Sequence, residues 1–190
     1  MDHFKAEEEL EALREIADLT NPYVQHEVGA IELVPLSDRI YGPGSGLIMQ
    51  AFTFPGKASR FSDGSRGTYY AAFGTDTAVT ETRYHDEVFL QGSGACTLEK
   101  TLIHAYLDAV LLDLRSGRPC PPGIYDPNDY SASQGFGRLV RDLGGYGIAY
   151  DSVRHADGKC VAIFRPLVLQ NAQAVRTLLY EWDGTTISVK

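Results

Sequence analysis

Ala58-Ser59-Arg60-Phe61-Ser62-Asp63-Gly64, running on through Thr68-Tyr69-Tyr70-Ala71-Ala72 to Glu81-Thr82-Arg83-Tyr84-His85, is the stretch from which the rest of the chain can be read. It sets an arginine in a polar, glycine-punctuated turn. The β-branched and aromatic run Gly67–Phe73 then predicts a strand. Gly74-Thr75-Asp76 closes that strand and supplies a helix N-cap. From Thr77 to about Leu90 the pattern is helical, and Glu81 and His85 stand at i and i+4. They are ~6 Å apart along the axis and can face one space. A plain intrahelical Glu–His pair at the surface fits the same spacing.

Upstream, Arg39-Ile40-Tyr41 reads as the start of a short strand. It runs into Gly42-Pro43-Gly44-Ser45-Gly46, a turn feeding the apolar Leu47–Phe52. Such a turn can offer backbone N–H groups to an anion. It is neither a Walker loop nor a dinucleotide fingerprint, because Gly-Lys-Ser/Thr and GxGxxG are both absent there. Residues 4–19 predict an amphipathic helix ended by Thr20-Asn21-Pro22, with Ala6, Leu10, Leu13 and Ala17 on one stripe. The chain therefore divides into an N-terminal helical extension, 1–30, and one domain, 31–190.

Downstream, residues 95–107 and 109–114 predict two strands, and Arg118–Gly123 a loop. Phe136, Leu139, Val140 and Leu143 mark the apolar face of a helix capped by Ser131 or Ser133 and stopped by Gly144-Gly145. Gly147–Tyr150 and Cys160–Phe164 predict strands, the second central. Residues 174–182 and 185–189 predict a hairpin about Asp183-Gly184. Helices lie between runs of strands without strict βαβ alternation, which places the fold in the α+β class.

Composition narrows the function. A chain of 190 residues with 44% hydrophobic content can bury about 70% of its unfolded surface. No run approaches the ~20 apolar residues of a membrane span. The acidic N-terminus lacks the apolar core of a signal peptide, so the expected location is cytoplasmic. Cys96, Cys120 and Cys160 fit neither a disulfide framework nor zinc spacing and read as reduced thiols. A net charge of −8 argues against direct nucleic-acid binding. It leaves room for a phosphate-bearing small molecule held by a few arginines.

Four pieces in order resemble the RES family of bacterial toxin domains. They are Arg39-Ile40-Tyr41; Ser59–Gly64 with Tyr70-Ala71-Ala72; Thr77–Glu81 through His85; and Tyr150-Asp151-Ser152-Val153-Arg154. The resemblance covers about residues 36–170. It implies a fold like that of ADP-ribosyltransferase toxins, with small β-sheets forming a central core flanked by helices. It further implies a toxin of a toxin–antitoxin pair, neutralised by an Xre-like antitoxin, that consumes NAD. Arg60, Tyr70, Glu81, His85 and Ser152 match the family's functional positions, and Arg39 matches the arginine near the domain start. The sequence departs at Arg60-Phe61-Ser62, where many members have Arg-Trp-Asn. The Gly-Pro-Gly loop and the Tyr-Asp-Ser-Val-Arg ending look more like the NAD-phosphorolysing branch.

Under that resemblance, Arg60 and Arg39 would hold the diphosphate, aided by the amides of Gly44 and Gly46. Tyr70, or secondarily Tyr41, would stack on nicotinamide. Glu81 would stabilise the oxocarbenium-like ribosyl cation. Ser152 would position a ribose hydroxyl or the nicotinamide amide, and His85 would orient Glu81 or the acceptor. NAD is then a substrate and not a cofactor, inorganic phosphate a possible co-substrate, and no metal is expected. Water, phosphate or a protein side chain as acceptor gives hydrolysis, phosphorolysis or mono-ADP-ribosylation. A non-catalytic NAD-binding module is the alternative of another class. A glycosidase pair of Asp63 and Glu81 and a zinc site from His85, His104 and His155 have no supporting spacing.

Overall fold

The computed structural model describes residues 29–190. The expected helix at 4–19 lies outside them. The fold is α+β, with two small sheets and three α-helices among the described residues.

The first sheet has the order β1-β5-β4-β3. Here β1 is Tyr69–Ala72, β3 Leu112–Asp113, β4 Gly147–Asp151 and β5 Lys159–Ile163. The pairs β1–β5 and β5–β4 are antiparallel, and β4–β3 is parallel. As expected, β5 is central. Four of its five residues are buried, consistent with a strand covered on both faces.

Alternation along these strands builds two cores. Ala149, Val161, Ile163 and Tyr69 pack with Ile48, Met49 and Phe52 of α1, Ser45–Thr53. Ile148, Tyr150, Cys160 and Ala162 face Phe61, Ile124 and Val140. The second sheet, β2-β6-β7, is antiparallel throughout: Cys96–Leu107, Leu169–Trp182 and Ile187–Val189. It packs Leu178, Tyr180 and Trp182 against Leu90 of α2, Thr75–Leu90. The hairpin about Asp183-Gly184 forms as its turn chemistry predicts, with the Asp183 carboxylate accepting from the amides of Thr185 and Thr186.

Four expectations change. Arg39-Ile40-Tyr41 is not a strand: it is irregular backbone between a 3₁₀ turn, Leu36–Asp38, and the glycine turn before α1. The backbone N–H of Arg39 closes the 3₁₀ turn on Leu36 O at 3.2 Å and so is not free for a sheet ladder, while its side-chain Nε–H donates to Val34 O at 3.0 Å. The strand expected at 109–114 shortens to Leu112–Asp113. The helix α3, Ser131–Asp142, does end at Gly144 (φ 78°). Its predicted stripe is only half buried: Val140 is in the core and Phe136 packs against it, whereas Leu139 and Leu143 are exposed and Ser133 and Gly137 face inward in their place. Neither Ser131 nor Ser133 caps it, since the N-cap is Tyr130 with no side-chain cap.

The inward face of α3 is small because backbone lies against it. A Cβ on Gly137 would stand 2.4 Å from Phe61 O. Around that contact α3 splints the loop between α1 and β1. Gln134 Nε2 donates to Ser59 O at 3.0 Å. Arg138 pairs with Asp63. Arg141 donates to Gly67 O at 3.0 Å and to Thr68 Oγ1 at 2.8 Å. On the loop's other side Gly67 crosses α1 so closely that a Cβ would meet Ala51 O at 2.3 Å.

Candidate active site

A cavity of about 400 Å³ opens between this splinted loop, the β1–β5–β4 surface and one face of α2. The α2 face consists of Ala78, Glu81, Thr82 and His85, the i, i+3, i+4, i+7 stripe of a helix. Glu81 and His85 do share a space, as their spacing predicts.

Glu81 is held from behind. Ser152 Oγ donates to Glu81 Oε1 at 2.6 Å. The same Oγ accepts the backbone N–H groups of Arg154 (3.1 Å) and His155 (2.9 Å). Two amides on its lone pairs aim the single hydroxyl proton at the carboxylate. Among the described residues no imidazole hydrogen-bonds Ser152, and His155 Nδ1 is 2.9 Å from Thr77 Oγ1 instead. Ser152 is thus built to orient Glu81, not to attack.

Arg60 is 8% exposed. Its Nη1 donates to Ile124 O and to Asp126 O, both at 2.9 Å. Its guanidinium lies 4.6 Å from the centre of the Tyr130 ring. Buried donors that reach carbonyls across such a separation knit the Ser59–Ser62 turn to the 124–130 loop. Arg154 adds a second tie, stacking 3.6 Å above Tyr84 of α2 and donating to Pro127 O.

Tyr70 offers its ring to the cavity, 37% exposed, while its hydroxyl is tucked under the turn. That oxygen accepts Phe61 N–H at 2.9 Å and lies 2.8 Å from Ser59 Oγ. Burial raises its pKa above the usual phenol value, against the lowering by those hydrogen bonds, so it stays protonated at neutral pH. Burial likewise pushes the Cys160 thiol up to about 12. A thiol so high is no nucleophile at neutral pH.

His85 is exposed at the cavity wall. Partial desolvation there lowers its pKa. Glu81 works in the opposite direction, and Lys57, Arg154 and Arg60 lower it further. The imidazole is accordingly neutral at pH 7.

The structure therefore brings Arg60, Tyr70, Glu81, His85 and Ser152 together, Ser152 as the backing of Glu81. It does not bring Arg39, Tyr41, Gly44 or Gly46 to this cavity. Gly44 takes φ 81° at the start of α1, where a Cβ would stand 2.2 Å from Ala172 O. Its role is close packing against β6. Asp63 is also outside, paired with Arg138, with a pKa of about 2 set first by hydrogen bonds from Ser65. Among the described residues no group of three His, Cys, Asp or Glu side chains could hold a metal. All three cysteines are free.

Sequence reasoning missed Tyr130, which stacks on Arg60, and Lys57, which lines the wall. Tyr130 stands 70 positions from Arg60 and carries no motif. Lys57 sits in a turn next to Pro55-Gly56, where a lysine is ordinary.

Residues 38–183 match the sequence model of a family described as RES domain. The chain belongs to the RES domain family. The match spans most of the 190 residues and includes every cavity residue named above. A search among curated proteins found no individual match to this RES domain. No helix among its described residues is long and apolar enough to cross a membrane.

Proposed function

We propose that this RES domain is an NAD-cleaving toxin: it breaks the nicotinamide–ribose bond and is held in check by an Xre-like antitoxin. The observation that carries the reading is the Ser152-oriented Glu81 carboxylate on the wall of a cavity shared with Tyr70, Arg60 and His85. About 400 Å³ falls in the range of small-molecule sites.

In the reaction the C–N bond breaks heterolytically, its electron pair leaves with neutral nicotinamide, and positive charge develops on the ribose. Glu81 is fixed before substrate arrives. It accepts from a ribose hydroxyl and places negative charge beside the growing cation, an interaction stronger in the transition state than in the ground state. The Tyr70 ring presents a face for the nicotinamide. An oxygen of inorganic phosphate closes on the ribose to give an ADP-ribose phosphate ester. With water as acceptor, the product is ADP-ribose and a proton. Neutral His85 can take up such a proton.

The test is nicotinamide release from NAD by purified protein, with and without inorganic phosphate, beside Glu81→Gln. Release that phosphate accelerates and the variant abolishes supports phosphorolysis, and phosphate-independent release supports hydrolysis. If labelled ADP-ribose ends on a protein instead, the enzyme is a mono-ADP-ribosyltransferase. If NAD binds and no nicotinamide ever leaves, the enzymatic reading is wrong.

A further inference from the structure

A dinucleotide brings two linked phosphates into the cavity, and the described residues offer three cationic side chains on its wall: Lys57, Arg60 and Arg66. Arg60 is the motif arginine, yet its Nη1 is committed to two backbone carbonyls and its plane lies over Tyr130. Swinging it onto a ligand would strand two carbonyls. Arg39, the other arginine of the motif set, is tied to Val34 O and lines no part of this cavity.

Lys57 and Arg66 differ from both. They leave the same loop on either side of the turn that Ser59 N–H closes onto Ser62 O at 2.7 Å. Both are exposed. Among the described residues the Lys57 ammonium meets only the Phe89 ring, 5.6 Å from its centre. Arg66 has one loose ion pair, 3.6 Å to Asp142, with both side chains more than half exposed. Neither guanidinium nor ammonium donates a hydrogen bond within the described protein, so their donors are available to a ligand.

The charge pattern points the same way. The chain carries −8 overall, but this cavity wall holds Lys57, Arg60 and Arg66 against the single carboxylate of Glu81. Lys57 stands at the Glu81–His85 end, where its charge is felt by His85. Arg66 stands beside Gly67 and also lines two further cavities of about 310 and 400 Å³. A local excess of positive charge concentrates anions and strengthens their hydrogen bonds.

We infer that Lys57 and Arg66 grip the diphosphate of the dinucleotide, and that Arg60 is a positioning residue that holds the walls of the cavity together. This rests on the NAD reading above and assigns its anion contacts. The α3 splint, through Arg141 on Gly67 O and Thr68, fixes the base from which Arg66 projects.

The test is calorimetric binding of ADP-ribose, which keeps the diphosphate, beside nicotinamide riboside, which has no phosphate. Native protein is compared with Lys57→Met, Arg66→Met, the double variant and Lys57→Arg. Each single loss is expected to weaken ADP-ribose about tenfold, as for one charge-assisted contact. The double variant loses more, while Lys57→Arg keeps most of the affinity. Nicotinamide riboside affinity should change less than about twofold. Added salt should weaken ADP-ribose on the native protein more than on the double variant.

A double variant that binds ADP-ribose like the native protein overturns the grip and leaves the NAD reading standing. Equal losses for both ligands overturn it too, since the substitutions would then act on the cavity as a whole. Native protein that releases nicotinamide but gives no heat with ADP-ribose would show that the diphosphate carries no affinity, which also overturns it. Native protein that neither binds ADP-ribose nor cleaves NAD removes the NAD reading, and the grip with it.

Discussion

Ser152 Oγ and Glu81 Oε1 lie 2.6 Å apart, across 71 positions of sequence. One comes from the turn after β4 and the other from the second turn of α2. The contact decides what each residue can do, because the serine proton has one acceptor and the carboxylate one fixed rotamer.

Removing Glu81 should therefore cost catalysis more than folding. Glu81→Gln is expected to lower kcat for nicotinamide release by about 10²–10³. Ser152→Ala should lower it less, by releasing the carboxylate. In the Glu81→Gln background Ser152→Ala should add little, since both act through one group. Single-turnover rates of the two single variants and the double variant check this. Additive losses would place Ser152 on the substrate directly.

Arg60 should behave in the opposite way. Arg60→Met strands Ile124 O and Asp126 O and removes the stack on Tyr130. A loss of about 3 kcal/mol is expected, or roughly 6–12 °C in Tm for a chain of this size. Calorimetry or thermal CD measures it. Arg60→Lys should recover little of that loss, since one ammonium cannot reproduce the planar stack.

His85 binds its proton more weakly in the folded protein than in the unfolded chain. A depressed pKa favours the folded state above the unfolded value near 6.5, and that contribution is lost as pH falls through the folded pKa. By NMR the His85 ring should titrate below 6.5. Glu81→Gln removes the neighbour that raises its pKa and should lower it further. Lys57→Met should move it up.

Much of this was legible in the sequence, and the divisions are physical. The α2 helix, its Glu81–His85 face, the β5 core strand and the final hairpin all depend on local periodicity or turn chemistry, which sequence carries. The Ser152–Glu81 contact was reachable only as two motif members, because no spacing encodes a tertiary hydrogen bond. Arg60 was readable as a motif member, but its contacts with the carbonyls of Ile124 and Asp126 were not. A guanidinium that binds carbonyls and one that binds phosphate look the same in a string of letters. The inward face of α3 misled for a related reason. Its apolar stripe held at Phe136 and Val140 and failed at Leu139 and Leu143, because close backbone contact selects Gly137 and leaves room inside for the small Ser133.

Two helical glycines separate close packing from propensity. At Gly137 an added methyl meets Phe61 O at 2.4 Å, whereas at Gly135 it meets nothing within 4 Å. Gly137→Ala should push α3 off the turn and destabilise the protein by about 1–3 kcal/mol. Gly135→Ala, in an exposed helix interior, should stabilise it by about 0.5–1 kcal/mol. Urea denaturation of the two variants gives both values.

The α3 splint has a consequence for how the protein opens. The loop bearing Lys57, Arg60 and Arg66 has little apolar ballast of its own beyond Phe61. It borrows order from Gln134, Gly137 and Arg141 on a helix that does not line the cavity. Segments coupled in this way lose protection together, as one cooperative unit. In hydrogen exchange the amides of the loop and those of α3 should share a single opening free energy. Fraying of α3 would then disassemble the cavity wall without touching Glu81 or Ser152, so the cationic side of the pocket and its carboxylate side can fail independently.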